Sequence, residues 1–189
     1  DDDDDDDDDD DEGEPEDDAA VAWQLVDQAR CLFLDAGDRA AAARCAEQLA
    51  GLNVDEERWA DAVVEFSFCV DVYESAPPSV LEDRVHHLSC LAGLGAAYAA
   101  HARDAPGADV TVEGEGGAPT AIATGGEVAD RARAYAREAE AKTGALLSEL
   151  AASGNALDAA AKRDMCGLAV EVSHAKDLVA QLSAPAPAA

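Results

Sequence analysis

The sequence predicts an all-α protein built from paired helices. Three observations lead there. Apolar residues recur every three to four positions through six segments, the period of a helix with one buried face. Alanine dominates an apolar fraction of 48% while aromatics make up only 4%, a composition that favours helix and close helix–helix contact. No segment reads as a credible strand.

The first helix is expected in "AAVAWQLVDQARCLFLDAG". Ala22, Leu25, Val26, Ala29, Leu32 and Phe33 fall at helical spacing, and Asp17 or Asp18 can accept from the first free backbone N–H groups. Gly37 suits the left-handed position that ends a helix. Asp38 then caps a second helix, "RAAAARCAEQLAGLNV", with Ala42, Cys45, Ala46, Leu49 and Leu52 on its apolar face. After a polar turn, "DEER", a third helix, "WADAVVEFSFCVDVYES", is closed by Pro77 and Pro78, which cannot continue it. Ser79 and Glu82 have the spacing of a capping box and are expected to start a fourth helix that runs to about Ala102.

Residues 104–126 hold six Gly and two Pro and read as a disordered insertion. From Glu127 a fifth helix runs to Gly154. Asn155 with Asp158 starts a sixth, whose stripe is Leu157, Ala161, Met165, Leu168, Val172, Ala175, Val179 and Leu182. The expected organisation is an acidic tract at 1–18, helices over 19–103, the insertion at 104–126, a long helix and closing helix over 127–183, and a tail at 184–189.

Charge narrows the function classes. The formal net charge is -29, from 42 acidic and 13 basic residues. Sixteen of the acids lie in residues 1–18, and the remainder still carries 26 acids against 13 bases. A direct grip on nucleic acid needs a basic footprint, so none is expected. An acidic surface steers basic partners instead. No apolar run reaches membrane-spanning length, so no membrane partner is expected. Five scattered cysteines, 31, 45, 69, 90 and 166, form no CxxC pair and read as reduced core thiols. His86 and His87 are adjacent and cannot face one site from a helix. No histidine stands at zinc-ligand spacing from a cysteine or carboxylate, and no nucleophile triad or phosphate loop is present. No enzyme, metal or cofactor is expected. The first residue is Asp rather than Met, and the chain reads as a piece of a longer protein.

One internal pattern is more specific. "LAGLNVDEERWADAVVEFSFCV" places Leu49, Ala50, Trp59, Ala62, Phe66 and Cys69 at the spacings of one tetratricopeptide (TPR) repeat. Small residues at a crossing let two antiparallel helices approach while large ones fill the space beside them. Leu94, Gly95 and Tyr98 repeat the first-helix slots 45 residues later. Their second helix is displaced by the insertion, to the start of the fifth helix. Ala22, Val26 and Ala29 fit a second helix whose own first helix is replaced by acids; Ala22, Trp23 and Ala29 are its packing positions. Trp23 and Trp59 are read as packing anchors.

With an acidic tract beside such a helix, the chain resembles the interrupted-TPR histone chaperones typified by nuclear autoantigenic sperm protein. The resemblance covers residues 1–102 closely and 127–182 loosely. It implies an α-solenoid with a C-terminal capping helix that binds histones H3 and H4, with linker histone a further candidate, in the nucleus with a cytoplasmic share. It implies two binding regions. One is the tract: Asp1, Asp2, Asp3, Asp4, Asp5, Asp6, Asp7, Asp8, Asp9, Asp10, Asp11 and Glu12. The other is a groove lined by Glu47, Asp55, Glu56 and Glu57, with Glu82, Asp83 and His87 on the fourth helix and Gly51 and Val54 between. The rival readings are a solubility tail on a structural scaffold and a TPR adaptor that clamps a carboxylate-terminated peptide. The latter needs a basic groove, and the second helix offers only Arg39 and Arg44.

Overall fold

The helices form where the apolar period and the caps agree. In a computed structural model, residues 18–113, 119–153 and 158–182 are described. Helix α1 spans Asp18–Asp35 and α2 Arg39–Asp55. Between them Gly37 takes φ +75°, and Asp38 accepts from the Ala41 backbone N–H at 3.0 Å. Helix α3 spans Trp59–Ser75, stopping before the two prolines, and α4 spans Leu81–Asp104. Helix α5 covers Gly125–Ser153 and α6 Ala159–Gln181, the latter capped by Asp158 through the Ala161 N–H at 2.8 Å. The expected stripe on α6 is its inner face, with Met165, Leu168, Val172 and Ala175 buried. Leu157 and Asn155 lie outside the described residues.

Three expectations need correction. Residues 104–126 are not a structureless insertion. Strands β1 (Val110–Glu113) and β2 (Pro119–Ala123) pair antiparallel as a hairpin. Val110 and Ala123 are buried, β1 packs on α3, and Asp109 accepts from the Gly125 N–H at 2.7 Å. The short alternation "VTV" and "TAIA" was the strand signal, and glycine content masked it. Ser79 does not build a capping box. Val80 holds the N-cap position in extended backbone, no side chain caps there, and the Arg84 N–H bonds the Val80 carbonyl. Finally, the thiols are not all in the core: Cys69 and Cys90 are buried, but Cys31 and Cys166 are exposed.

Consecutive helices pack as antiparallel neighbours, and α6 folds back on α4 and α5. Helix α4 is the centre, touching α2, α3, α5 and α6. Its Gly95 lies against the α5 backbone, where a Cβ would sit 2.9 Å from the Ala136 nitrogen. Tyr98 and Tyr135 stack nearly parallel beside this crossing, ring centroids 5.9 Å apart. The fifth helix is thus the partner of the fourth, as the displaced pattern requires. The buried positions recur as well: Ala62, Phe66 and Cys69 on α3 have the spacing of Ala132, Ala136 and Ala139 on α5. Leu49 and Ala50 on α2 correspond to Leu94 and Gly95 on α4, and all four are buried.

Candidate functional site

A groove of about 500 Å³ runs along α4. Small residues spaced along one side of α4 make its floor: Ala92, Gly93, Ala96, Ala97 and Ala100. Small side chains there keep the floor low. Phe66 closes it from below; a Cβ on Gly93 would lie 2.5 Å from the Phe66 ring, so glycine lets ring and helix meet. Helix α2 forms one wall with Glu47, Gly51, Val54 and Asp55, and α6 the other with Glu171, His174 and Leu178. Glu57 and Trp59 close one end, with Arg103 beside them. Glu57 has φ +56°, a left-handed turn that carries the chain from α2 to α3.

One carboxylate on each wall is held by α4. The His86 ring Nδ1 lies 2.8 Å from Glu47 Oε2. Ser89, one turn on, donates its hydroxyl to Glu171. The hydrogen bond to Glu47 raises the His86 pKa above its ordinary value, against the opposing effect of burial. Partial burial raises the Glu171 pKa, with the charge of Glu47 adding to it and the Ser89 hydrogen bond opposing it. The result is an apolar floor between acidic walls. Helix-in-groove recognition in general lays an apolar helical face into an apolar groove.

The expected groove residues divide. Glu47, Gly51, Val54, Asp55 and Glu57 line the groove. Glu56 does not; it is on the exposed turn, paired with Arg58 at 2.9 Å. Glu82 and Asp83 face Arg44 at 3.8 and 3.6 Å, because the first turn of α4 packs beside α2 rather than over the groove. His87 points the other way, stacked on Tyr73 with centroids 5.6 Å apart. There burial and the nearby Lys142 lower its pKa. Trp59, partly buried at the groove end, donates its ring N–H to Asp104 at 2.8 Å. Trp23 lies half-buried on α1, its ring nitrogen without a hydrogen-bond partner among the described residues. Of the acidic tract, Asp1 through Asp17 lie outside the described residues.

Reading the sequence missed Ser89, Glu171 and His174. Helix α6 was legible as a helix, but nothing in its pattern says that it folds back on α4. Among the described residues no group of side chains could hold a metal ion, and no helix is long and apolar enough to cross a membrane. Comparisons with known protein families, curated proteins and solved structures find no match.

Proposed function

We propose that the chain is the histone-binding part of a TPR histone chaperone. It binds H3, alone or with H4, and shields it until handover for chromatin assembly. The groove carries this reading: an apolar floor of small residues with Glu47, Asp55, Glu57 and Glu171 around it. Its acidic walls suit a helix that is apolar on one side and basic on the other, and histone helices have that character. The recurring buried spacing on α3 and α5, and the Leu–small pairs on α2 and α4, support TPR hairpins with α6 as the capping helix.

The work is binding and charge neutralisation, without bond chemistry. Groove contacts give selectivity. The adjoining tract, fifteen acids in residues 1–17, gives rate and capacity. At physiological salt exposed charges act over about 8 Å, so the tract acts on basic segments that pass close to a docked partner. Its tether raises its effective concentration there. Within this reading the protein is nuclear, with a cytoplasmic share. A clamp for a carboxylate-terminated peptide fits worse, since among the described residues Arg103 is the one arginine lining the groove.

Titration with H3–H4 and with a neutral helical peptide at several salt concentrations tests the proposal. Histone binding at moderate salt, retained in part after deletion of residues 1–18, is the expected result. Absence of histone binding at moderate salt sinks it. Loss of all binding on deletion reduces it to a polyanion effect.

A further inference from the structure

Past the Gly95 crossing the α4–α5 seam opens again, toward the start of α4. A cavity of about 480 Å³ lies there, lined by the end of α3 and the turn after it, the first two turns of α4, and the second half of α5. It shares no residue with the groove. Its lining joins apolar surface to unused donors. Leu88 and Leu146 are buried, and Pro77 and Pro78 extend the apolar part. Tyr73 is 3% exposed and lines the cavity, yet its hydroxyl finds no hydrogen-bond partner among the described residues. His87, stacked on Tyr73, lines it too, and its Nε2 is likewise without a partner among them. Leaving buried polar groups unpaired costs stability. Phenylalanine would fill the place of Tyr73 as well, so the hydroxyl calls for an acceptor.

We propose that this cavity binds a metabolite-sized monocarboxylate with an apolar body: the carboxylate on Lys142 and the Tyr73 hydroxyl, the body against Leu88 and Leu146. The charge follows from the donors. An ammonium has three, and that of Lys142 meets Glu138 at 2.7 Å and Glu74 only at 3.8 Å. Arg84, also in the lining, holds Glu149 through two hydrogen bonds. These carboxylates sit on the solvent side, with side chains 39–61% exposed. Exposed pairs hold weakly, so a ligand carboxylate can take the place of one. Three acids around two cations disfavour a doubly charged phosphate. Burial raises the Tyr73 pKa, which keeps its hydroxyl a donor. Burial and Lys142 lower that of His87, whose neutral ring donates from one nitrogen. Because the cavity lies apart from the groove, the inference does not rest on the histone reading.

The test titrates hydrocinnamate and octanoate into the full chain, followed by backbone amide and His87 ring shifts. Saturable binding of at least one acid is expected, with shifts centred on residues 73–88 and 142–146. The neutral hydrocinnamamide binds about tenfold more weakly or worse, having lost the charge that meets Lys142. Lys142→Met weakens binding of the acid about tenfold. Tyr73→Phe weakens it about tenfold while leaving thermal unfolding unchanged or raising its midpoint; a tyrosine kept for packing alone would leave binding unmoved. Both substitutions preserve side-chain shape, and circular dichroism checks the fold. No saturable binding of either acid, shifts centred elsewhere, equal affinity for the amide, tighter binding of phenethylamine, or indifference to both variants overturns the proposal. An acetylated peptide ending in phenylalanine that binds more tightly than hydrocinnamate also overturns it, and gives the site to a chain terminus.

Discussion

The two sides of α4 are built from similar residues and end in opposite states. Toward α5 the helix is closed around Gly95. Gly95 meets the α5 backbone, Tyr98 stacks on Tyr135, and beside them His87 is packed against Tyr73 of α3. Toward α2 and α6 it is open. Gly93 and the alanines from Ala92 to Ala100 form a floor, and His86 and Ser89 reach out to carboxylates on either wall. Small residues do two jobs here. On one side they admit another backbone; on the other they leave room. The difference lies in what stands opposite: a helix that follows in sequence, or two helices held apart by α4 itself.

Substitutions on the two sides separate these jobs. The largest stability effect is expected from Gly95→Ala, whose Cβ meets backbone that cannot move alone. A loss of about 2–3 kcal/mol follows, read by thermal or urea unfolding. Breaking the α1–α3 ion pair comes next. Arg30→Met leaves Glu65, bonded to Arg30 at 2.6 Å, buried without its partner. Because the Arg30 side chain is a quarter exposed, the loss is about 2 kcal/mol rather than the full cost of a buried pair. Gly93→Ala crowds only the edge of the Phe66 ring, which can tilt, and costs about 1 kcal/mol. If Gly93→Ala costs as much as Gly95→Ala, the open side is packed as tightly as the closed one and the contrast fails. The groove carboxylates invert the pattern. Glu47→Gln with Glu171→Gln is expected to leave unfolding nearly unchanged and, on the proposed reading, to weaken histone binding about tenfold at moderate salt, or about 1.4 kcal/mol.

The smallest effect is the most direct test of the contrast. His86 titrates above, and His87 below, the ordinary value of about 6.5. The raised pKa of His86 adds stability that is fully present below pH about 6.5 and lost as pH rises through its folded value. The depressed pKa of His87 adds stability present above pH about 6.5 and lost as pH falls through its folded value. The two act in opposite directions in the intact protein. His86→Gln therefore unmasks a fall in stability on acidification, and His87→Gln a fall on raising the pH. Histidine proton shifts in NMR read both pKa values directly; the same order of titration in reverse contradicts the opposed faces.

Much of the fold was legible. Gly37, Asp38, Pro77 and Asp158 set the element ends because each acts on its own backbone. The α6 stripe was legible because a helical period needs no knowledge of the partner. Leu94, Gly95 and Tyr98 identified a crossing whose partner helix lay beyond a hairpin. That hairpin was not legible, since two short strands among glycines carry a weak signal. Half of the groove was readable from the outer face of α2, where Glu47 and Asp55 follow from helix geometry; of the two turn residues after it, Glu57 lines the groove and Glu56 does not. Its other wall was not. Glu171 and His174 are 124 and more residues from Glu47 in sequence, and only the return of α6 onto α4 brings them there. Glu82 and Asp83 looked equally suited by charge, yet the packing of α4 beside α2 hands them to Arg44.

By itself the sequence determined what is local: which segments are helical, where they stop, which faces are apolar, and that a dense acidic run stands at residues 1–18. Periodicity, capping and charge are properties of neighbours along the chain. Tertiary structure alone decided which helix lies on which, that glycine at 95 meets a backbone while glycine at 93 meets the Phe66 ring under the groove floor, and that two adjacent histidines are pushed in opposite directions. Those outcomes depend on the atoms facing each side chain from distant parts of the chain, and burial and charge at that range follow from packing.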